Sequence, residues 1–91
     1  MIEDDVRLAG MVGDYLEQAG FVFAHQSDGA SGLAAIQEGA PDLVILDIML
    51  PGMDGLQVCR RIRALPGAAA SVPVLMLTAK GDAMDRVIGL E

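Results

Sequence analysis

The sequence predicts an α/β fold built on a parallel sheet. Two apolar runs without alternation, Leu43-Val44-Ile45-Leu46 and Val74-Leu75-Met76-Leu77, read as strands buried on both faces, as parallel strands are. Stretches with helical spacing of apolar residues separate the strands, so strand and helix alternate and right-handed crossovers follow. Each run ends in a residue with chemistry to offer, Asp47 and Thr78, at the carboxyl tips where α/β sheets gather ligand groups.

The first helix is predicted over Val6–Ala19. Leu8, Met11, Val12, Tyr15 and Leu16 share one apolar face, Asp5 offers an N-cap and Gly20 a stop. Phe21-Val22-Phe23-Ala24-His25 reads as a short strand. Ser27-Asp28-Gly29 turns into a second helix, Ala30 to Glu38, ended by Gly39 and Pro41. Leu43–Asp47 is the next strand, and Pro51-Gly52 a loop. A third helix runs from Gly55 to Leu65, with Leu56, Cys59 and Ile62 inward and Arg60, Arg61 and Arg63 outward. Residues 66–71 form a loose connection. Val72–Thr78 is a further strand, with Pro73 tolerable near its start. Lys80-Gly81-Asp82 leads into a last helix reaching Glu91.

With 91 residues the chain is one domain at most. A hydrophobic content of 53% supports a real core and argues against disorder. The formal net charge of −7 disfavours direct contact with nucleic acid or an anionic membrane by this segment. The single cysteine, Cys59, excludes an internal disulfide, and no Cys/His spacing suits zinc. With no apolar stretch of membrane-spanning length and no basic leader at the N-terminus, a cytoplasmic location is expected.

Glu3, Asp4, Asp47 and Thr78 fall at the carboxyl ends of strands, so they can converge on one sheet edge although far apart in sequence. Several carboxylates in one cleft repel one another unless a cation screens them. Magnesium suits such a set, since it takes oxygen ligands, keeps several waters and binds through one or two carboxylates plus a phosphate. Asp47 is then placed to act as a nucleophile towards phosphorus, and Thr78 to donate its hydroxyl to a phosphoryl oxygen. Taken singly these residues have plainer readings. Asp47 also reads as a cap of the following loop, Thr78 as a strand end, and Glu3-Asp4-Asp5 as an acidic turn favouring a helix dipole, which is the role given to Asp5. Asp54 reads as the cap of the third helix, Lys80 as a solvated loop lysine, His25 as structural, Cys59 as a small core residue, and the arginines as a solvated face.

Three stretches together resemble the receiver domain of two-component response regulators: Ile2-Glu3-Asp4-Asp5-Val6-Arg7-Leu8, Asp42 through Gly55 around Asp47, and Val74-Leu75-Met76-Leu77-Thr78-Ala79-Lys80. The resemblance covers essentially the whole chain. It implies a flavodoxin-like (CheY-like) doubly wound parallel sheet of strand order 2-1-3-4-5. It implies that Asp47 is the phosphoacceptor and Thr78 the switch hydroxyl. Mg2+ would be held by Asp4, Asp47 and the backbone carbonyl of Met49, with Glu3 acting mainly through water. Ala79, being small, would leave the phosphoryl group accessible.

The family pattern also holds a Lys-Pro pair and a switch aromatic on a fifth strand, followed by a fifth helix. Those and most of the first strand are missing from residues 1–91, so the domain is expected to be truncated at both ends, with a gap at the centre of the sheet. The implied partners are a sensor histidine kinase and, by likeness to the winged-helix class, a DNA-binding effector domain, with a homodimer forming on phosphorylation. The domain would be no enzyme beyond its own phosphoryl transfer and dephosphorylation. Two alternatives are an aspartate-nucleophile phosphatase and a receiver-like interaction module that takes no phosphoryl group. The first needs an acid two residues after the nucleophile, where this chain has Met49.

Overall fold

The computed structural model describes residues 1–50, 52–78 and 86–90, and of Thr78 and residues 86–90 only the backbone. Helix α1 (Val6–Gln18) starts at Asp5, whose carboxylate accepts from the N–H groups of Arg7 and Leu8. Helix α2 (Gly29–Glu38) is capped by Asp28 through the N–H of Ser31 at 2.8 Å. Strand β1 (Val44–Asp47) follows, then helix α3 (Gly55–Arg63), a 3₁₀ turn (Gly67–Ser71) and strand β2 (Val74–Thr78). Strands β1 and β2 pair in parallel, Val44 opposite Val74 and Asp47 opposite Leu77. The α/β class and the parallel pair are therefore as the apolar runs foretold.

The first three residues lie between β1 and the segment around Gln26. The Ile2 N–H donates to Ile45 O at 2.8 Å and the Asp47 N–H to Ile2 O at 3.1 Å. On the other side the Glu3 N–H donates to Gln26 O at 3.0 Å and the Gln26 N–H to Met1 O at 2.9 Å. The spatial order is thus the segment around Gln26, then residues 1–3, then β1 and β2, which matches the 2-1-3-4 part of the expected order. Residues 1–3 thus take a place inside the sheet, bonded on both sides. Beside Met1 lies a cavity of about 670 Å³ whose walls include Phe21, Phe23, Ile36 and Ile45.

Four local expectations are corrected. Phe21–His25 forms no regular strand; Gln26 makes a single bridge to Ile2, because a three-residue partner provides ladder bonds to one end of the segment alone. Residues 86–90 form strand β3 (Arg86–Leu90), antiparallel to β2, where a helix was expected. The Val87-Ile88 pair has strand propensity, and pairing satisfies the polar groups along β2's second edge. Lys80 and Ala79 lie outside the described residues.

On α1 the buried residues are Ala9 and Gly13, whereas Met11 and Tyr15, expected inward, are 61% and 73% exposed. Gly13 lies so close to the Phe23 ring that a Cβ would stand 2.6 Å from it, and this approach through small residues turns the larger side chains away. On α3, Val58 joins Cys59 and Ile62 in the core, while Leu56 is half exposed. The core cluster binds Ile2 and Ile36 to Leu46, Val58, Ile62, Val74 and Met76.

Candidate functional site

Glu3 and Asp47 are both fully buried, and they are the only buried charged residues among those described. The ladder bonds of Ile2 and Asp47 fix their backbones side by side at the carboxyl edge, so the two side chains meet although 44 positions apart. Asp4 stands next along the chain, half-buried. One carboxylate oxygen from each of Glu3, Asp4 and Asp47 lies within 4.8 Å of the others. The juxtaposition foreseen for these three is therefore present.

Hydrogen bonds hold the carboxylates from behind. The Met49 N–H donates to Asp47 Oδ1 at 3.0 Å, so the Met49 peptide stands directly beside the cluster. The Asp5 N–H donates to Glu3 Oε2 at 3.0 Å, and Glu3 Oε1 is buried with no hydrogen-bond donor among the described residues. Burial pushes the Glu3 carboxyl up to about 7. The Asp5 N–H pulls it down, while the charge of Asp47 and contacts with the Asp4 and Asp47 carboxyls push it up again. Carboxyl oxygens at such separations attract only through a shared proton or a cation. Three hard oxygen donors, one of them orphaned, fit a magnesium ion.

Other elements set this edge from below. Gly55, the first residue of α3, donates its N–H to Ile48 O at 2.8 Å. A Cβ there would stand 2.6 Å from both Asp47 O and Ile48 Cα. Asp54 caps α3 through the Gln57 N–H at 2.9 Å and takes no part in the cluster, in agreement with its reading as a cap. Thr78 closes β2, whose parallel partner ends at Asp47; its side chain is outside the description.

Two contacts escaped the sequence. The His25 ring approaches the Glu3 carbonyl oxygen at 2.7 Å, a pairing across 22 positions for which no local pattern exists. Arg63, expected in solvent, donates to Ala70 O and Val72 O at 3.1 and 2.7 Å, tying α3 to the entry of β2.

Residues 1–3 bridged to a parallel pair, helices between, and an acidic triad of two buried carboxylates and one half-buried at the carboxyl edge define an α/β domain with a cluster of hard oxygen donors. The response regulator receiver domain profile matches residues 1–91, and the chain belongs to that family. The DNA-binding response regulator MtrA of Mycobacterium tuberculosis is 50% identical over 91 residues, which is all of this chain and 38% of that protein. The chain thus spans well under half the length of such relatives. The N-terminal domain of a response regulator receiver protein from Methanoculleus marisnigri superposes with a TM-score of 0.81 at 38% identity, covering 87% of this chain and 63% of that one. The BeF3-activated receiver domain of RstA from Klebsiella pneumoniae superposes at 0.75 with 32% identity, covering 91% and 68%.

Proposed function

We propose that the domain is a phosphorylation-controlled switch in which Asp47 takes a phosphoryl group from a sensor histidine kinase. The observation that carries this is the meeting of buried Asp47 with Glu3 and Asp4. In the transfer an Asp47 carboxylate oxygen forms a bond to phosphorus as the donor's phosphorus–nitrogen bond breaks, leaving an acyl phosphate and a neutral imidazole whose freed nitrogen keeps the bonding electron pair. The Met49 N–H on Oδ1 orients the carboxylate, so that its other oxygen is the one to react. Asp4 and Asp47, with the Met49 carbonyl, would hold Mg2+, and Glu3 would act mainly through water. Bound there, the ion supplies positive charge to the phosphoryl oxygens. The Thr78 hydroxyl, at the end of the neighbouring strand, is the switch group that answers the new charge.

The domain catalyses only its own phosphorylation and dephosphorylation. Met49, half-exposed and without a transferable proton, occupies the place where a phosphatase of the aspartate-nucleophile class needs its acid. The output is proposed to be transcriptional, through a DNA-binding effector domain of the winged-helix class in the longer protein, with dimerisation on phosphorylation. Similarity to a DNA-binding response regulator supports this. The location is proposed to be the cytoplasm; among the described residues no helix is long and apolar enough to cross a membrane.

The full chain incubated with Mg2+ and acetyl phosphate should gain the mass of one phosphoryl group, and Asp47→Asn should gain none. Equal uptake by both would remove Asp47 from its role. Release of phosphate from a free monoester at a steady rate would favour the phosphatase.

A further inference from the structure

We propose that His25 is a positioning residue for the acidic site, fixing the Glu3–Asp4 peptide and with it the place of the Asp4 carboxylate. The proposal rests on the reading of that cluster as a magnesium site. His25 is half-buried, and its Nε2 lies 2.7 Å from the Glu3 carbonyl oxygen. A carbonyl only accepts, so Nε2 carries the hydrogen and donates it.

The position of this bond in the chain gives it its effect. Up to Glu3 N the backbone is held on both sides by ladder bonds to Gln26, Ile45 and Asp47. From Asp5 onward it is held by the cap of α1. The Glu3–Asp4 peptide is the link between these two fixed parts, and the Asp4 side chain hangs from it. A peptide unit is planar, so holding its oxygen sets the direction of its N–H and of the next Cα. Asp4 is the one half-buried member of the triad, whereas Glu3 and Asp47 are locked by burial. The Asp4 carboxyl also meets that of Glu3, and the peptide that His25 holds sets where the Asp4 side chain leaves the backbone to make that contact. Groups that orient a ligand from behind typically change metal affinity about 10-fold or more. One hydrogen bond acting through the backbone belongs near the lower end of that range.

The test uses the full chain and three variants. His25→Leu keeps bulk and removes the donor. His25→Gln places an amide nitrogen the same number of bonds from Cα as Nε2. His25→Asn carries an amide too short to reach. Mg2+ affinity is measured by calorimetry without phosphoryl donor, phosphorylation by acetyl phosphate is followed across Mg2+ concentrations, and thermal midpoints are taken without metal. His25→Leu should raise the Mg2+ dissociation constant, and the Mg2+ needed for half-maximal phosphorylation, about five- to tenfold. The rate at saturating Mg2+ should stay within about twofold, and His25→Gln should restore both values. If the Leu variant does not fold, Asn carries the same expectation. Wild-type Mg2+ affinity in the Leu or Asn variant would overturn the proposal, as would a Gln variant of unchanged thermal midpoint that fails to restore it. A wild type that binds Mg2+ but takes no phosphoryl group would instead sink the phosphoacceptor reading and leave the positioning role to stand on the affinity data.

Discussion

Gly55 and Gly10 both sit in helices, yet their surroundings are opposite. At Gly55 the start of α3 presses on the backbone that carries Asp47, and a Cβ would meet Asp47 O and Ile48 Cα at 2.6 Å. At Gly10, on the outer side of α1, a Cβ would meet nothing within 4 Å. The edge that holds the carboxylates is over-determined by backbone contacts, while the outer side of α1 is open and leaves Met11 and Tyr15 exposed. Rigidity is concentrated where buried like charges must be kept together against their repulsion.

The sharpest way to break this contrast is Gly55→Ala. The obstructing atoms are backbone, so the methyl group is accommodated only by moving α3 or the Asp47–Ile48 peptide. Overpacking of this kind costs about 2–3 kcal/mol. A drop in thermal midpoint of about 10 °C or more is expected by calorimetry, together with slower phosphoryl uptake at Asp47. Wild-type stability would mean that the edge yields more easily than its contacts imply.

Glu3 probes the same edge through pH. Its folded pKa is about 7, above the ordinary carboxyl value, chiefly because it is buried. The folded state therefore holds this proton more tightly than the unfolded state. The associated stability is complete below the unfolded value and is lost as pH rises through about 7. In metal-free buffer the wild type should lose roughly 1–3 kcal/mol between pH 5 and pH 8 relative to Glu3→Gln, measured by urea denaturation. Mg2+ should stabilise the wild type more at pH 8 than at pH 5, because protons compete for the same oxygens. A wild type and a Gln variant with parallel pH profiles would contradict the burial of a titrating carboxyl here.

The acidic triad was legible in the sequence because strand ends converge in a parallel sheet, and Asp47 and Glu3 each sit at such an end. The strands β1 and β2 were legible because burial on both faces leaves unbroken apolar runs. The inner face of α1 was misread for a physical reason. Its buried residues are Ala9 and Gly13, the latter against Phe23, both with little hydropathy signal, and pattern reading favoured Met11 and Tyr15 instead. Residues 86–90 were misread because a short stretch with Val87-Ile88 suits helix or strand, and the open edge of β2 decides between them. His25 had no readable signal, since its partner is a backbone carbonyl 22 positions away.

A smaller effect is expected at the cap of α3. Asp54 accepts from the Gln57 N–H, and Asp54→Ala should cost about 1 kcal/mol. Because Asp54 lies outside the triad, the Mg2+ concentration for half-maximal phosphorylation should not change. A marked weakening of metal binding in this variant would extend the site into the loop after Asp47 and blur the line between scaffold and ligand.

Gly10→Ala tests the open side of the comparison and reverses the sign. The position is exposed in the interior of α1, and nothing obstructs a methyl group. Alanine restricts the unfolded chain more than glycine and fits helical geometry, so the variant should gain about 0.5–1 kcal/mol. Thermal melts should show the midpoint rising by a few degrees, with phosphoryl uptake unchanged. The same chemical change, one methyl group on a helical glycine, would then stabilise one end of the domain and disrupt the other. A loss of stability at Gly10 would show that the outer side of α1 is less open to a methyl group than its surroundings imply.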